Sequence, residues 1–397
     1  MKPAPPIHFR LKLRPEDFQV EELADVRPRR RGAFRLYRLT KSGWNTIDVL
    51  LRISKRSGIP IEAFSYGGRK DRQAKTTQFI TVASGRDLSM RERDYAIEAL
   101  GYVDERMSPS RLLGNAFTIT LRDLDPNDVA TIERAIQIVA RQGLTNYFDD
   151  QRFGSRDQAG GFAGERILKR DWEGAIRIHL TGVRAEEYDA SRDRRAFFQE
   201  HWRDWKKCLT RAETVTERRV FQLLDVRHGG RTSYVAAVNL IPREEVSMAL
   251  SAYQSFLWNV IAAEVTRDLG ESVAGLSGAA GDYLFYILIA PDALARMRRL
   301  RIPMPGPRPR FADRRTAELY ESILSRSGLM EAGFRTPLLQ TAYLKSFPRP
   351  AHLKVDGLRT TEVGEDDMNP GRRRLSIRFR IPRGSYGTMV VKRLSVG

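Results

Sequence analysis

Apolar residues along the chain recur at two periods, and the switches between them mark the elements. After a basic cluster of Arg27, Arg29, Arg30 and Arg31, the residues Phe34, Leu36 and Leu39 read as a strand. Thr46 reads as the cap of a helix carrying Ile47, Leu50 and Leu51, with a stop near Gly58. Phe64 to Tyr66 and Phe79 to Val82 read as strands around a polar stretch, Gly67 to Thr77. Phe117, Ile119 and Leu121 alternate with Thr118 and Thr120, the pattern of a half-buried strand. Asp125-Pro126-Asn127 opens a helix on which Val129, Ile132, Ile136 and Val139 share a face, and Gly143 stops it. Leu144 to Gly154 then reads as a loop dense in polar and aromatic groups.

From about residue 165 the texture changes, with Trp172, Trp202 and Trp205 among charged helical segments. Tyr283 to Ala290 is the longest apolar run; it is too short to span a bilayer and reads as a buried strand or short helix. Arg296 to Arg315, rich in Pro and Arg, reads as an exposed basic loop. Near residue 341 strand patterning returns. Leu375, Ile377, Phe379 and Ile381 form one face, and Arg378 and Arg380 the other. Ser385 reads as the cap of a final helix with Tyr386, Met389, Val390 and Leu394. The order suggests one domain made from both chain ends, interrupted by a second.

Charge narrows the class of partner. The 397 residues include 68 Lys plus Arg against 49 Asp plus Glu, a net charge of +19. Such an excess favours a polyanion through counterion release, although a generally basic surface or an anionic membrane would fit as well. Cys208 is the only cysteine, so no intrachain disulfide forms, which suits a reducing cytoplasm. The histidines (His8, His179, His201, His228 and His352) do not fall at metal-ligand spacing, so no metal is expected. Residues 1–9 lack the apolar stretch of a secretory signal. No phosphate-loop motif is present, and Gly275, Gly278 and Gly281 are a weak pattern, so no nucleotide cofactor is expected.

Two segments carry candidate chemistry. In Gly68-Arg69-Lys70-Asp71-Arg72-Gln73-Ala74-Lys75-Thr76-Thr77-Gln78 a carboxylate sits among cations between two strands. Lys70 and Arg72 would keep Asp71 ionised, as a nucleophile or base needs. A solvated turn with incidental charges would look the same. In Asn146-Tyr147-Phe148-Asp149-Asp150-Gln151-Arg152-Phe153-Gly154 the aromatics could stack on a base while Asn, Gln and Arg bond its edge or phosphate. Equally, they could plug a core.

Together the two segments resemble the signatures of the TruD family of tRNA pseudouridine synthases, G-x-K-D-x-x-A-x-T-x-Q and N-Y-F-x-x-Q-R-F-G. The resemblance extends in order along the chain, through Lys12-Leu13-Arg14-Pro15-Glu16-Asp17-Phe18-Gln19-Val20-Glu21-Glu22, Lys41-Ser42-Gly43-Trp44-Asn45-Thr46, Leu113-Gly114-Asn115-Ala116-Phe117, Leu250-Ser251-Ala252-Tyr253-Gln254-Ser255 and Pro382-Arg383-Gly384-Ser385-Tyr386. Asp149, Thr145 and Lys75 depart from the family's usual Gly, Pro and small apolar residue.

The resemblance implies a mixed α/β (α+β) catalytic domain on a largely antiparallel sheet, from roughly residues 1–165 and 341–397, with a family-specific insertion at roughly 166–340. It implies isomerisation of uridine, at position 13 of tRNA, without a cofactor. Asp71 would attack C1′ or take the C2′ proton. Lys12 would pair with Asp71, Phe148 would stack on the base, and Asn146 would orient the Asp71 loop or the base. Lys70, Arg72, Gln78, Tyr147, Gln151 and Arg152 would line the RNA path. The expected partner is structured RNA, tRNA above all, with no membrane; no protein partner is legible. A catalytically silent RNA-binding protein of the same fold is the alternative; within the family reading, Lys12 could instead be a plain surface lysine.

Overall fold

The computed structural model describes residues 5–83, 85–154, 156–157, 159–183, 189–329, 331–339 and 344–397. The chain forms two compact units, Met1–Leu144 with Leu353–Gly397, and Thr145–His352.

Among the described residues the first unit is built on nine strands. They are β1 (Phe18–Ala24), β2 (Phe34–Ser42), β3 (Phe64–Tyr66), β4 (Lys75–Val82), β5 (Met90–Arg91), β6 (Tyr95–Val103), β7 (Leu112–Leu124), β8 (Asp356–Glu365) and β9 (Arg373–Pro382). The sheet runs β8-β9-β7-β1-β4-β2-β6-β5, with β3 also on β4. β1 and β4 pair in parallel, whereas β7 with β1 and β9, β2 with β4 and β6, and β3 with β4 pair antiparallel. The largely antiparallel α+β expectation is thus met.

Period-2 alternation decides what each strand buries. Tyr37 and Leu39 of β2, Ile80 and Val82 of β4 and Ile97 of β6 form one core with Val49, Leu50 and Ile53 of helix α1 (Thr46–Ser57). Helix α2 (Asp128–Gln142) starts at Asn127 and stops at Gly143, whose φ is 69°, as its sequence signals indicated.

Several local expectations change. Helix α1 is preceded by Asn45 at the N-cap, and the Thr46 hydroxyl serves another segment instead. β4 begins at Lys75 rather than near Phe79, because the polar residues Lys75, Thr76 and Thr77 find strand partners on both sides. The final helix is Gly387–Leu394 with Tyr386 as N-cap, not Ser385. Arg296 to Arg315 is a loop only in part, from Met304 to Asp313, where Arg308 and Arg310 are exposed. The stretch also holds the end of a helix (Pro291–Arg299), a strand (Arg301–Pro303) paired with Pro348–Pro350, and the buried residues Ile302 and Met304. Arg298, Arg299 and Arg301 are exposed on the helix and strand, and composition alone could not separate them from loop arginines.

The second unit is mainly helical. Its long helix Arg243–Leu269 buries Leu257, Trp258, Ile261 and Ala262. Tyr283 to Ala290 overlaps a strand, Gly281–Leu288, antiparallel to Ser272–Gly278. Among the described residues no helix is long and apolar enough to cross a membrane.

Candidate active site

The loop Gly67 to Ala74 between β3 and β4 presents Asp71. Lys12 Nζ donates to Asp71 Oδ2 and lies 4.6 Å from the centre of the Phe18 ring. Lys12 itself holds φ 57°, a left-handed conformation that a lysine adopts at a cost of about 1–2 kcal/mol. The Gln73 amide donates to Asp71 Oδ1 at 3.1 Å. Burial would raise the Asp71 pKa, but the Lys12 hydrogen bond and charge, the Gln73 amide and the Lys41 charge outweigh it and hold the carboxyl below its ordinary value. The side chain remains 37% exposed. An ionised, accessible carboxylate with one oxygen on a lysine is chemically suited to act as nucleophile or base.

Sequence motifs that lie far apart converge on this loop. The buried Lys41 donates to the carbonyls of Trp44 (2.7 Å) and Asp71 (2.9 Å), and more weakly of Lys70 (3.4 Å). Thr46 Oγ1 accepts from the Lys70 amide at 3.0 Å and donates to Gln78 Oε1 at 2.8 Å. Gln78 Nε2 donates to the Gly68 carbonyl at 3.2 Å. Lys70 Nζ donates to Asn115 Oδ1 at 3.0 Å and pairs with Glu22 at 2.9 Å, and Glu22 also accepts from the Phe79 amide.

Lys70 and Arg72 therefore differ from the expectation that they ionise Asp71. Lys70 is turned toward Glu22 and Asn115, Arg72 Nε reaches the Gly43 carbonyl at 3.3 Å, and Lys12 and Lys41 are the cations that lower the Asp71 pKa. Gln78, expected along the RNA path, is fully buried, and its amide clamps Gly68 and Thr46.

Asn146, Tyr147, Phe148, Gln151 and Arg152 belong to the second unit. Asn146 Nδ2 donates to the Pro350 carbonyl at 3.1 Å, and its Oδ1 accepts from Arg349 at 3.2 Å. Tyr147 is fully buried, and its hydroxyl donates to the Leu284 carbonyl at 2.7 Å. Phe148 is 8% exposed as a residue; the Arg349 guanidinium lies 3.9 Å from its ring centre, and the ring meets Trp258 edge to face. Asn259 bonds both the amide and the carbonyl of Phe148. Gln151 is exposed, and Arg152 reaches Ser255 Oγ at 3.2 Å. Asp149 is buried and Thr145 bonds Thr266, so these two departures from the family pattern lie inside the unit.

Sequence reasoning gave no role to Lys41, Thr46, Glu22 or Asn115 in this site. For two of them a signal was present. Lys41 continues the Tyr37 and Leu39 face of β2, and Glu22 continues the Phe18 and Val20 face of β1, so each is an ionisable residue at a core-facing position.

The chain matches the family model described as tRNA pseudouridine synthase D (TruD) over residues 1–285 and 290–394. The tRNA pseudouridine synthase D of Leptospira interrogans serovar copenhageni is 28% identical over 391 residues, 97% of this chain and 96% of that one. That of Aquifex aeolicus is 24% identical over 393 residues, 97% and 98% of the two chains. A crystal structure from Methanosarcina mazei named for the same family superimposes with a TM-score of 0.77 at 23% identity, covering 100% of this chain and 95% of that one, and shares the fold. The enzyme class is that of the pseudouridine synthases, which are isomerases. Within it, the chain belongs to the tRNA pseudouridine synthase D (TruD) family.

Proposed function

We propose that the chain converts a uridine of tRNA, uridine-13, to pseudouridine, with Asp71 as the reacting carboxylate. The observation that carries this reading is the Lys12–Asp71 pair, which joins the opening motif to the loop motif and keeps the carboxylate ionised and reachable. Asp71 attacks C1′ or takes the C2′ proton. The C1′–N1 bond breaks, the uracil turns, C5 bonds C1′, and the C5 proton is lost as N1 gains one, so nothing is added overall. The terminal segments, roughly residues 1–165 and 341–397, perform the chemistry, and the inserted segment, roughly 166–340, selects the RNA. Phe148 is the stacking platform for the base, which requires Arg349 to leave the face it covers or the base to take the other face. Asn146 orients the loop that carries Phe148.

The test is carbodiimide labelling and primer extension on tRNA incubated with purified protein. A stop at position 13 is expected with the wild type. It should be absent with Asp71→Asn, whose amide is nearly isosteric yet cannot act as nucleophile or base, while tRNA binding persists. Near-normal turnover by Asp71→Asn would reject the carboxylate, modification elsewhere would reject the position, and binding without modification would mark a silent RNA-binding protein.

A further inference from the structure

Lys41 is 1% exposed, and the mechanism above does not use it. Its ammonium faces three carbonyls, of Trp44 in the turn between β2 and α1 and of Lys70 and Asp71 in the loop between β3 and β4. Lys12 thus holds the carboxylate of Asp71 while Lys41 holds its backbone.

We propose that the protonated Lys41 ammonium is a positioning group that fixes the Asp71 backbone for isomerisation, so that its loss of a proton slows catalysis without weakening tRNA binding. The inference rests on Asp71 being the reacting carboxylate. An ammonium carries three donors and a neutral amine two, so deprotonation leaves one carbonyl of this buried cluster without its donor. The remaining bonds also lose their charge assistance. The loop then relaxes, and misplacement of a reacting group by a fraction of an ångström is costly to rate.

The groups around Lys41 decide when this happens. The Asp71 loop brings the Asp71 carboxylate, itself bonded to Lys12, and the Lys70 ammonium. In the sheet its register neighbours are Thr76 of β4 and Tyr95 of β6. From the turn before α1 comes the uncharged Trp44 carbonyl. Burial pushes the proton off, Asp71 retains it and Lys70 opposes it, which brings Lys41 down to about 8.

The sign separates this role from a merely structural one. With the folded value depressed to about 8, the unfolded chain holds more protons between that pH and the ordinary lysine value of 10.5. This group's contribution to global stability therefore rises with pH over that window, whereas catalysis falls.

The experiment measures kcat at saturating tRNA, Kd for tRNA and the unfolding midpoint from pH 6.5 to 9. Wild-type kcat should fall about tenfold between pH 7 and 9, with Kd constant within about twofold. Lys41→Arg, charged throughout, should lack this fall. Lys41→Met should lose on the order of 100-fold in kcat at pH 7 and also lack the fall. If Lys41→Met does not bind tRNA, the wild-type profile and Lys41→Arg decide. A wild-type kcat flat to pH 9, the same fall in either variant, or a fall in affinity instead of kcat would overturn the proposal alone. A wild type that makes no pseudouridine at pH 7 would overturn the reading of the chain on which it rests.

Discussion

Asp71 is held below its ordinary pKa chiefly by one residue, and that residue sits in a backbone conformation lysine avoids. Lys12 therefore has a distinct signature. For a carboxyl with a depressed folded pKa, the stabilising contribution is complete above the unfolded value and is lost as pH falls through the folded one. Wild-type kcat should accordingly persist below the ordinary carboxylate range. Removing Lys12 leaves burial, which acts upward, opposed only by the Gln73 amide and Lys41. Lys12→Met should move the acid limb of kcat to higher pH and reduce kcat at its optimum by about tenfold to a hundredfold; a limb that stays in place would reject the role. At this scale the sequence identified the pair through its motifs but misjudged the neighbours. A run such as Arg69-Lys70-Asp71-Arg72 says which charges are adjacent along the chain, not which way they turn. Lys70 turns to Glu22, far away in sequence, and the cation that reaches the Asp71 carbonyl comes from β2.

At the scale of elements, the site depends on strand register. Asn115, which accepts from Lys70, stands opposite Ile381, and Gly114 stands opposite Pro382. The two strands approach closely there, and a Cβ on Gly114 would run into the Ile381 carbonyl, a backbone atom that no rotamer change can move aside. Gly114→Val should force β7 from β9 and destabilise the chain by about 1–3 kcal/mol, read as a lowered midpoint in urea unfolding. An unchanged midpoint would show that the strands part freely. The alternation of Phe117, Ile119 and Leu121 made β7 legible, as Leu375 to Ile381 did β9, because one buried face imposes a period of 2. The start of β4 was not legible. Lys75 and Thr76 are polar by type, and only their partners, Gln19 and Ser42 for Lys75 and Val20 and Lys41 for Thr76, make them strand. The stretch Arg296 to Arg315 misled in part for a related reason: Arg and Pro dominate its composition, while the buried Ile302 and Met304 between them set its structure.

For the molecule as a whole, the +19 charge sets how tRNA affinity depends on salt. Each phosphate that a cation neutralises releases condensed counterion, so log K should fall steeply and linearly with log salt. The basic segment after β1 is a candidate part of that footprint. Arg29 exchanges backbone hydrogen bonds with Tyr102 at 2.9 Å each and pairs with Asp104 at 2.7 Å, which fixes the segment against β6. Arg30 and Arg31 are exposed beside it and have no side-chain partner among the described residues. They are therefore free to meet phosphates, whereas Arg29 already has a counter-charge. Replacing Arg30 and Arg31 together with Ser should lower the magnitude of the salt slope by about 2, one for each phosphate no longer neutralised. It should weaken tRNA binding at low salt and leave kcat at saturating tRNA unchanged, because neither residue touches the Asp71 loop. Binding isotherms at several salt concentrations, wild type against the double variant, are sufficient. Parallel lines of equal slope would place the phosphate-binding residues elsewhere on the chain, and a loss of kcat without a change in slope would mean that the segment acts on the fold instead of the RNA.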